Sequence, residues 1–346
     1  MYLNRATISL CAVLATLSGC GAPQSQIAPG ASAPKSGVVS QSLCPCIYVT
    51  NRYDDANSVT VYAVGSGGTG NIFPIRTISG SKTLLNQPFG IAVDKSGKIY
   101  VTNPGSNNVL VYAAGANGNE EPIREIAGPA THLIGPSSIA VDAKGTVYVI
   151  NYAYSFNTDN ITVYAPGANG NVPPVRTIEG HKTKLEDPHG IALDAMSNIY
   201  VTNYYLTSRV TVYASGANGD ISPTRVIEGH RTKLLGPTFI AVDSANEIYV
   251  VNTGHSDGPI KVYAPGTKGD VAPIREIKGS KTQLHDPAGI ALDPSRNPYV
   301  ANPGAYTSSI TAYASSARGN VGPIRFITGP NTGLDGPTGI ALYPRN

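Results

Sequence analysis

The sequence predicts an all-β protein built from one unit that is repeated six times. Variants of Gly-Ile-Ala-Val-Asp, Ile-Tyr-Val-Thr-Asn, Val-Thr-Val-Tyr-Ala and Pro-Ile-Arg-Thr-Ile return in the same order along the chain. The arginines recur in steps of 48, 52, 49, 50 and 50 residues, at Arg76, Arg124, Arg176, Arg225, Arg275 and Arg325. No stretch shows a sustained helical period. Short strands in a radially repeated unit of about fifty residues indicate a six-bladed β-propeller.

Each unit is predicted to form four antiparallel strands, which in the second unit lie at residues 91–93, 99–101, 109–112 and 123–126. These runs are rich in β-branched and aromatic residues, which favour strands. Asp94-Lys95-Ser96-Gly97 separates the first pair, and Asn117-Gly118 lies between the third and fourth strands. Because Asn-Gly accepts positive φ at both central positions, we expect a tight hairpin there.

The two ends of the repeated region complement each other. The last unit stops after a first strand at residues 338–342, whereas the first unit starts with a second strand at residues 47–51. We therefore predict that the C-terminal strand completes the N-terminal blade. This pairing closes the ring and leaves no open sheet edge inside it.

Residues that recur in every unit are interpreted as packing residues, because packing needs a group in every blade whereas a functional site needs one copy. This interpretation covers the six arginines, the prolines from Pro88 to Pro337 and the leucines from Leu85 to Leu334. It also covers the threonines Thr83, Thr131, Thr183, Thr232, Thr282 and Thr332. Ala92 and its equivalents are predicted to be small because the innermost strands crowd around the axis.

Residues 1–19 are predicted to be a targeting segment, with Arg5 before an apolar run that is too short to span a bilayer. Leu17-Ser18-Gly19-Cys20 then resembles the lipobox of bacterial lipoproteins. The resemblance implies that Cys20 is lipidated, becomes the first residue of the mature chain and anchors it in a membrane. The alternative is an ordinary secretory signal with an incidental cysteine.

Residues 20–43 are rich in Ala, Pro, Ser, Gly and Gln and are predicted to be a disordered tether. The propeller is assigned to residues 44–346. Gly21 is not the aspartate that often retains such lipoproteins at the inner membrane. We therefore expect a cell-envelope protein, in the outer membrane if the host has one. In that oxidising compartment, Cys44 and Cys46 form either an internal bridge or two free thiols.

The charge distribution excludes nucleic acid as the expected partner. Charged residues make up 14% of the chain, and 25 Lys and Arg against 22 Asp and Glu give a net charge of +3. The basic residues are spread over the blades without a cluster. Nucleic-acid binding requires a concentrated basic face, which this sequence lacks.

Length variation between units is concentrated in the loop that joins the second and third strands. From the Asn that ends the second strand to the Tyr of the third, the six units count 11, 9, 13, 10, 11 and 11 residues. Variation on one face of a repeat protein indicates a binding face. The candidate binding residues there are Tyr53, Asp54, Asp55, Tyr152, Tyr154, Tyr204, Tyr205, His255, Asp257 and Tyr306. Aromatic rings beside carboxylates suit a protein or a glycan, and solvated loop decoration is the alternative.

Residues 88–94, followed by Gly97 and Ile99-Tyr100-Val101, resemble the NHL repeat. The resemblance recurs six times and extends over nearly everything after residue 46. It implies a propeller that acts as a binding platform. The stretch from Tyr112 through Pro136 departs from the short NHL consensus, so the resemblance does not identify the partner.

Six-bladed propellers that resemble this architecture also include metal-dependent gluconolactonase-like hydrolases and lyases, which makes a metal-assisted lactonase or lyase at the channel mouth the alternative function. His189 is unique at its repeat position and is predicted at that mouth. His181 and His230, one blade apart, complete a weak zinc candidate. No nucleophile–base pair, phosphate loop or dinucleotide fingerprint is found. The sequence therefore predicts no catalytic residue and no cofactor beyond a possible divalent metal.

Overall fold

Six four-stranded antiparallel sheets make up the described part of the chain, which confirms the predicted all-β, six-bladed propeller. The computed structural model describes residues 45–53, 56–64, 70–152, 159–204, 207–254, 258–304 and 307–344. The predicted targeting segment, Cys20, the tether and Cys44 lie outside these residues. The helical segments within them are 3-10 turns of three residues. None is long and apolar enough to cross a membrane.

The strands follow the repeat closely. Blade 1 holds β1 (Cys46–Asn51), β2 (Ser58–Ala63) and β3 (Arg76–Ile78). Blade 2 holds β4 (Ile91–Val93), β5 (Ile99–Asn103), β6 (Asn108–Tyr112) and β7 (Arg124–Ile126). Blade 3 holds β8 (Pro136–Val141), β9 (Val147–Asn151), β10 (Asn160–Tyr164) and β11 (Arg176–Ile178). Blade 4 holds β12 (Pro188–Leu193), β13 (Ile199–Asn203), β14 (Arg209–Tyr213) and β15 (Arg225–Ile227).

The last two blades lead back to the first. Blade 5 holds β16 (Pro237–Val242), β17 (Ile248–Asn252), β18 (Ile260–Tyr263) and β19 (Arg275–Ile277). Blade 6 holds β20 (Ile290–Leu292), β21 (Pro298–Asn302), β22 (Ser309–Ala312) and β23 (Arg325–Thr328), and β24 (Pro337–Tyr343) follows. The 3-10 turns are Ser81–Thr83, Pro104–Ser106, Pro129–Thr131, His181–Thr183, His230–Thr232, Ser280–Thr282 and Pro330–Thr332.

The ring is closed as predicted, because β24 is the innermost strand of blade 1. The strand order in that sheet is β24-β1-β2-β3. Ile47 lies opposite Leu342 and Tyr48 lies opposite Ala341. A further bridge between Gly70 and Ile327 joins blade 1 to blade 6. Strands from the two ends of the described chain thus share one sheet.

The propeller has two faces, which we call the loop face and the turn face. The strands within each blade are antiparallel, so consecutive connections leave opposite ends of the strands. The loop face carries the connections from second to third strand and those from one blade to the next. The turn face carries the connections from first to second strand and from third to fourth strand. The variable loops identified in the sequence therefore lie on the loop face.

The six recurring arginines join neighbouring blades, as their packing interpretation predicts. Arg176, at the start of β11, places its guanidinium 5.6 Å from the centre of the Tyr148 ring in its own blade. The same group donates to the Tyr148 hydroxyl at 3.2 Å and to the Ala217 carbonyl of the next blade at 3.1 Å. Equivalent bonds to the next blade start from Arg76, Arg124, Arg225, Arg275 and Arg325.

Substitution of one such arginine is expected to weaken the ring without changing its fold. Arg176→Ala removes a cation–π contact and charge-assisted hydrogen bonds, so we expect a loss of about 2 kcal/mol in the free energy of unfolding. Arg318→Ala is the matched control, since Arg318 is exposed. Chemical denaturation measures both variants. Equal stability of Arg176→Ala and the wild type would contradict a role for Arg176 between blades.

The Asn-Gly segment before the fourth strand differs from the predicted tight hairpin. Gly118 has a φ of +75°, but it pairs with Ile78 of the preceding blade instead of closing a two-residue turn. Its N–H donates to the Thr77 carbonyl at 2.7 Å, and the Asn117 side chain accepts from the Thr77 N–H at 3.0 Å. Asn117-Gly118 therefore makes contacts between blades, which a rule for local turns does not predict.

The tyrosines of the third strands are buried and attach each blade to the connection before it. Tyr164 donates its hydroxyl to the carbonyl of Thr131 at 2.6 Å, and the Thr131 side chain donates to Gly128 within the same 3-10 turn. The other five tyrosines make the same bond, namely Tyr62, Tyr112, Tyr213, Tyr263 and Tyr313. This confirms the packing interpretation of the recurring threonines.

The innermost strands surround a central cavity of about 320 Å³. The cavity lies towards the turn face, where the first strand of each blade ends. The predicted small residues line it, namely Ala92, Ala140, Ala192, Ala241, Ala291 and Ala341. Asp142, Asp194 and Asp243 lie at the same end. Each of these carboxylates accepts backbone N–H bonds within its own turn, which gives it a structural role.

Candidate binding site on the loop face

Two phenylalanines from opposite sides of the ring stack near the axis. Phe89 precedes β4 in blade 2, and Phe239 lies in β16 of blade 5, three blades away. Their ring centres are 5.8 Å apart at an interplanar angle of 25°. Phe239 occupies a position that is glycine in four other units and is 8% exposed. This stack brings side chains of blades 2 and 5 into contact across the axis.

His189 lies at the loop-face end of β12, between two tyrosines. Its ring centre is 5.8 Å from that of Tyr152 and 5.0 Å from that of Tyr204. Both tyrosines directly follow a second strand, where β9 and β13 end. The Nε2 atom of His189 lies 3.1 Å from the Asp187 carboxylate, so the pair is ionic when the imidazole carries a proton. Three of the predicted site residues thus form one group, the Tyr152–His189–Tyr204 cluster.

A cavity of about 180 Å³ opens beside this cluster and extends to the phenylalanine stack. Tyr152 and His189 line one side, and Phe89 lines another. Arg52, which follows β1, lies 5.0 Å from the centre of the Phe89 ring and also lines the cavity. One cationic group and several aromatic faces therefore surround a single concave space.

A buried hydroxyl belongs to one of the residues that line this cavity. Ser137 occupies the repeat position that His189 holds in blade 4, and it lines the cavity. Its Oγ is buried and has no hydrogen-bond partner among the described residues. The Thr238 hydroxyl, at the same repeat position in blade 5, is also buried without a partner there. Buried polar groups in native proteins are nearly always satisfied, so an unpartnered hydroxyl in a cavity points to a ligand or water.

The remaining binding candidates divide into one described residue and seven others. Tyr53 is 46% exposed in blade 1, where its ring packs against Gly336 of the preceding connection. It does not belong to the Tyr152–His189–Tyr204 cluster. The predictions on Asp54, Asp55, Tyr154, Tyr205, His255, Asp257 and Tyr306 fall outside the described residues.

The three histidines of the weak zinc candidate are all described, and they do not form a metal-binding group. His181 and His230 each begin an exposed 3-10 turn between blades. His189 instead lies half-buried against the two tyrosines. Among the described residues, no three His, Cys, Asp or Glu side chains are grouped so that they could hold a metal ion.

Sequence reasoning missed Arg52, Phe89, Phe239 and Ser137 as site residues. Arg52 directly precedes the variable-loop candidates, but it is neither aromatic nor acidic, so the criterion used for those loops does not select it. Phe239 carried a signal, since a large ring replaces glycine in one unit only. Ser137 and Phe89 both occupy the same repeat position as His189. Comparison of this repeat position selects only the unique histidine, although the equivalent residues of the neighbouring blades line the same cavity.

Comparison with solved structures agrees with the propeller fold. A protein of unknown function from Bacteroides caccae is 11% identical, with a TM-score of 0.61 over 86% of this chain and 98% of that one. The structure of a nidogen/laminin complex gives 14% identity and a TM-score of 0.61, over 86% and 97% of the two chains. The WD40 propeller domain of Doa1 gives 12% identity and a TM-score of 0.50, over 83% and 80%.

Comparisons by sequence find no counterpart. No family model matches the chain, and no curated protein matches it. At the low identities above, the structural similarities show the fold alone.

Proposed function

We propose that this protein is a binding platform that holds a glycan or a protein on its loop face. The observation that carries the proposal is the Tyr152–His189–Tyr204 cluster beside a cavity that Arg52 also lines. Binding sites are concave and are lined by aromatic residues with a few placed polar groups, which describes this cavity. Tyr204 is 39% exposed, so part of the cluster is available to a partner.

We further propose that the propeller is an NHL-type unit of a lipid-anchored envelope protein, through Cys20. Strand direction supports an arrangement in which the site points away from the membrane. β1 runs from Cys46, at the turn face, to Asn51, at the loop face. The segment before residue 45 therefore joins the propeller at the turn face. Cys46 is disulfide-bonded, and its partner cysteine lies outside the described residues.

The proposal is tested by removing the exposed aromatic faces. The double substitution Tyr152→Ser/Tyr204→Ser is expected to abolish binding to glycan arrays or to envelope proteins captured by the wild type, because Tyr152 lines the cavity and the Tyr204 ring packs against His189 beside it. Met196→Ser is the matched control, since Met196 is 72% exposed and lies on the turn face. Binding is measured with purified variants of equal melting temperature.

Retained binding by the double variant would overturn the proposal for the loop face. Loss of binding in Met196→Ser, with the double variant unaffected, would instead assign the interaction to the turn face. Adding Tyr154→Ser and Tyr205→Ser to the double variant tests the two neighbouring candidates of the same loops.

A further inference from the structure

We infer that the loop-face cavity recognises a sugar ring that carries a carboxylate, namely a hexuronate residue of a glycan. The inference rests on the function proposed above and specifies its ligand. It depends on the charge at one end of the cavity, the aromatic faces along its sides, its size and the unpartnered hydroxyl in its wall.

The positive end of the cavity is the guanidinium of Arg52. Within the described part of the chain, this group makes a contact with the Phe89 ring and no hydrogen bond or ion pair. The nearby carboxylate of Asp187 lies against His189 instead. A guanidinium beside an apolar ring favours an anion, and its planar fork matches a carboxylate through two parallel hydrogen bonds.

The sides of the cavity suit the remainder of a sugar. Pyranose rings present C–H groups on their faces and hydroxyls around their edges, so they pack on aromatic rings and need hydrogen-bonding groups in the same plane. Tyr152, Phe89 and His189 supply the rings. Ser137 lines the cavity and has a buried Oγ that lacks a partner among the described residues, and Gln87 adds an amide.

The size of the cavity limits the ligand that it encloses. Its volume is about 180 Å³. At about 30 Å³ for each water molecule in the liquid, this space corresponds to about six waters. One sugar ring with its substituents is of this size, whereas a folded peptide segment is not. A longer glycan would place one residue in the cavity and continue over the loop face towards Tyr204.

The test compares acidic with neutral sugars on the purified full-length protein. Titration calorimetry is carried out with trigalacturonate, a glucuronate oligomer and a neutral galactose trimer. We expect an acidic oligomer to bind at least tenfold more tightly than the neutral trimer, with an affinity that decreases as salt is added. Arg52→Gln is expected to remove this preference, a loss of about tenfold to a hundredfold for the acidic sugar alone.

Two further variants separate recognition from folding. Arg318→Gln removes an exposed arginine elsewhere and is expected to leave both affinities unchanged. Ser137→Ala is expected to weaken acidic and neutral sugars by the same few-fold factor, because its hydroxyl contacts the ring rather than the carboxylate. Unchanged melting temperatures show that each variant is folded.

Each contrary outcome overturns the inference. These outcomes are equal affinity for acidic and neutral oligomers, no binding of either hexuronate, and an Arg52→Gln variant that keeps its preference. In another outcome, the wild type binds a protein or a neutral glycan that the Tyr152→Ser/Tyr204→Ser variant does not bind. That result would support the proposed binding platform and contradict the hexuronate inference. If that double variant still bound every partner, the proposal of a binding platform on the loop face would be wrong.

Discussion

Deletion of residues 338–346 is expected to abolish cooperative unfolding of the propeller. The deletion removes nearly all of β24, the innermost strand of blade 1, and exposes the edge of β1. Ile340 and Leu342 are 6% and 4% exposed. Burial of such side chains contributes about 1.5–3 kcal/mol each. Adding the lost strand hydrogen bonds, at about 1 kcal/mol each, gives a loss comparable with the entire stability of a typical domain, about 5–15 kcal/mol.

Thermal denaturation followed by circular dichroism and calorimetry measures this effect. The matched control is deletion of residues 344–346, which leaves β24 (Pro337–Tyr343) intact and is expected to melt like the full chain. A sharp transition at the original temperature after deletion of residues 338–346 would show that β24 does not hold the ring together.

The propeller is also expected to unfold cooperatively in alkali, between about pH 10 and pH 12. Burial raises the pKa of the six third-strand tyrosines, and it raises the pKa of Tyr164 to about 12. A tyrosine in the unfolded chain titrates near pH 10. Because the folded pKa is higher, the folded state binds more protons in this range. The stabilisation is complete below pH 10 and is lost as the pH rises towards the folded pKa.

The expected dependence is steep because the same group recurs in every blade. Each tyrosine contributes about 1.4 kcal/mol per pH unit within this window, so six contribute about 8 kcal/mol per pH unit. Far-ultraviolet circular dichroism follows the fold, and tyrosinate absorbance follows ionisation. The share of the absorbance that comes from the buried tyrosines is expected to change together with the circular dichroism. Ionisation of all 20 tyrosines with an unchanged circular dichroism spectrum would show that the third-strand hydroxyls are accessible to solvent.

A pair of phenylalanine variants assigns the effect to buried rings. Tyr164→Phe is expected to reduce the slope by about 1.4 kcal/mol per pH unit within this window, since one titrating group is removed. It also loses the bond to Thr131, at a cost of about 1 kcal/mol near neutral pH. Tyr204→Phe removes a hydroxyl at a 39% exposed position outside the third strands and is the matched control.

The architecture was predictable because the residues that form each strand and turn recur in all six units. The incomplete first and last units were sufficient to place β24 beside β1. The partners of the arginines were not predictable, since they depend on where the Tyr148 ring and the Ala217 carbonyl lie across a blade boundary. The prediction of a tight hairpin at Asn117-Gly118 was wrong for a related reason, because the hydrogen bonds of this dipeptide are made with another blade.

The candidate site was predictable only in part. Loop-length variation selected Tyr152 and Tyr204, and the unique repeat position selected His189. These three residues do lie together. The contact of Phe89 with Phe239 joins units that are three repeats apart in sequence. A linear pattern contains no information on which side chains meet across an axis, so such a pair emerges only from the folded ring.

The shared sheet of blade 1 also imposes an order on biogenesis. Cys46 pairs with Tyr343, so almost the whole chain must be synthesised before this sheet can form. Contacts of such long sequence separation form late and slow the search for the native state. Until then, β1 presents an unpaired edge that can recruit other chains. A nascent chain therefore reaches its native state only after β24 has been synthesised.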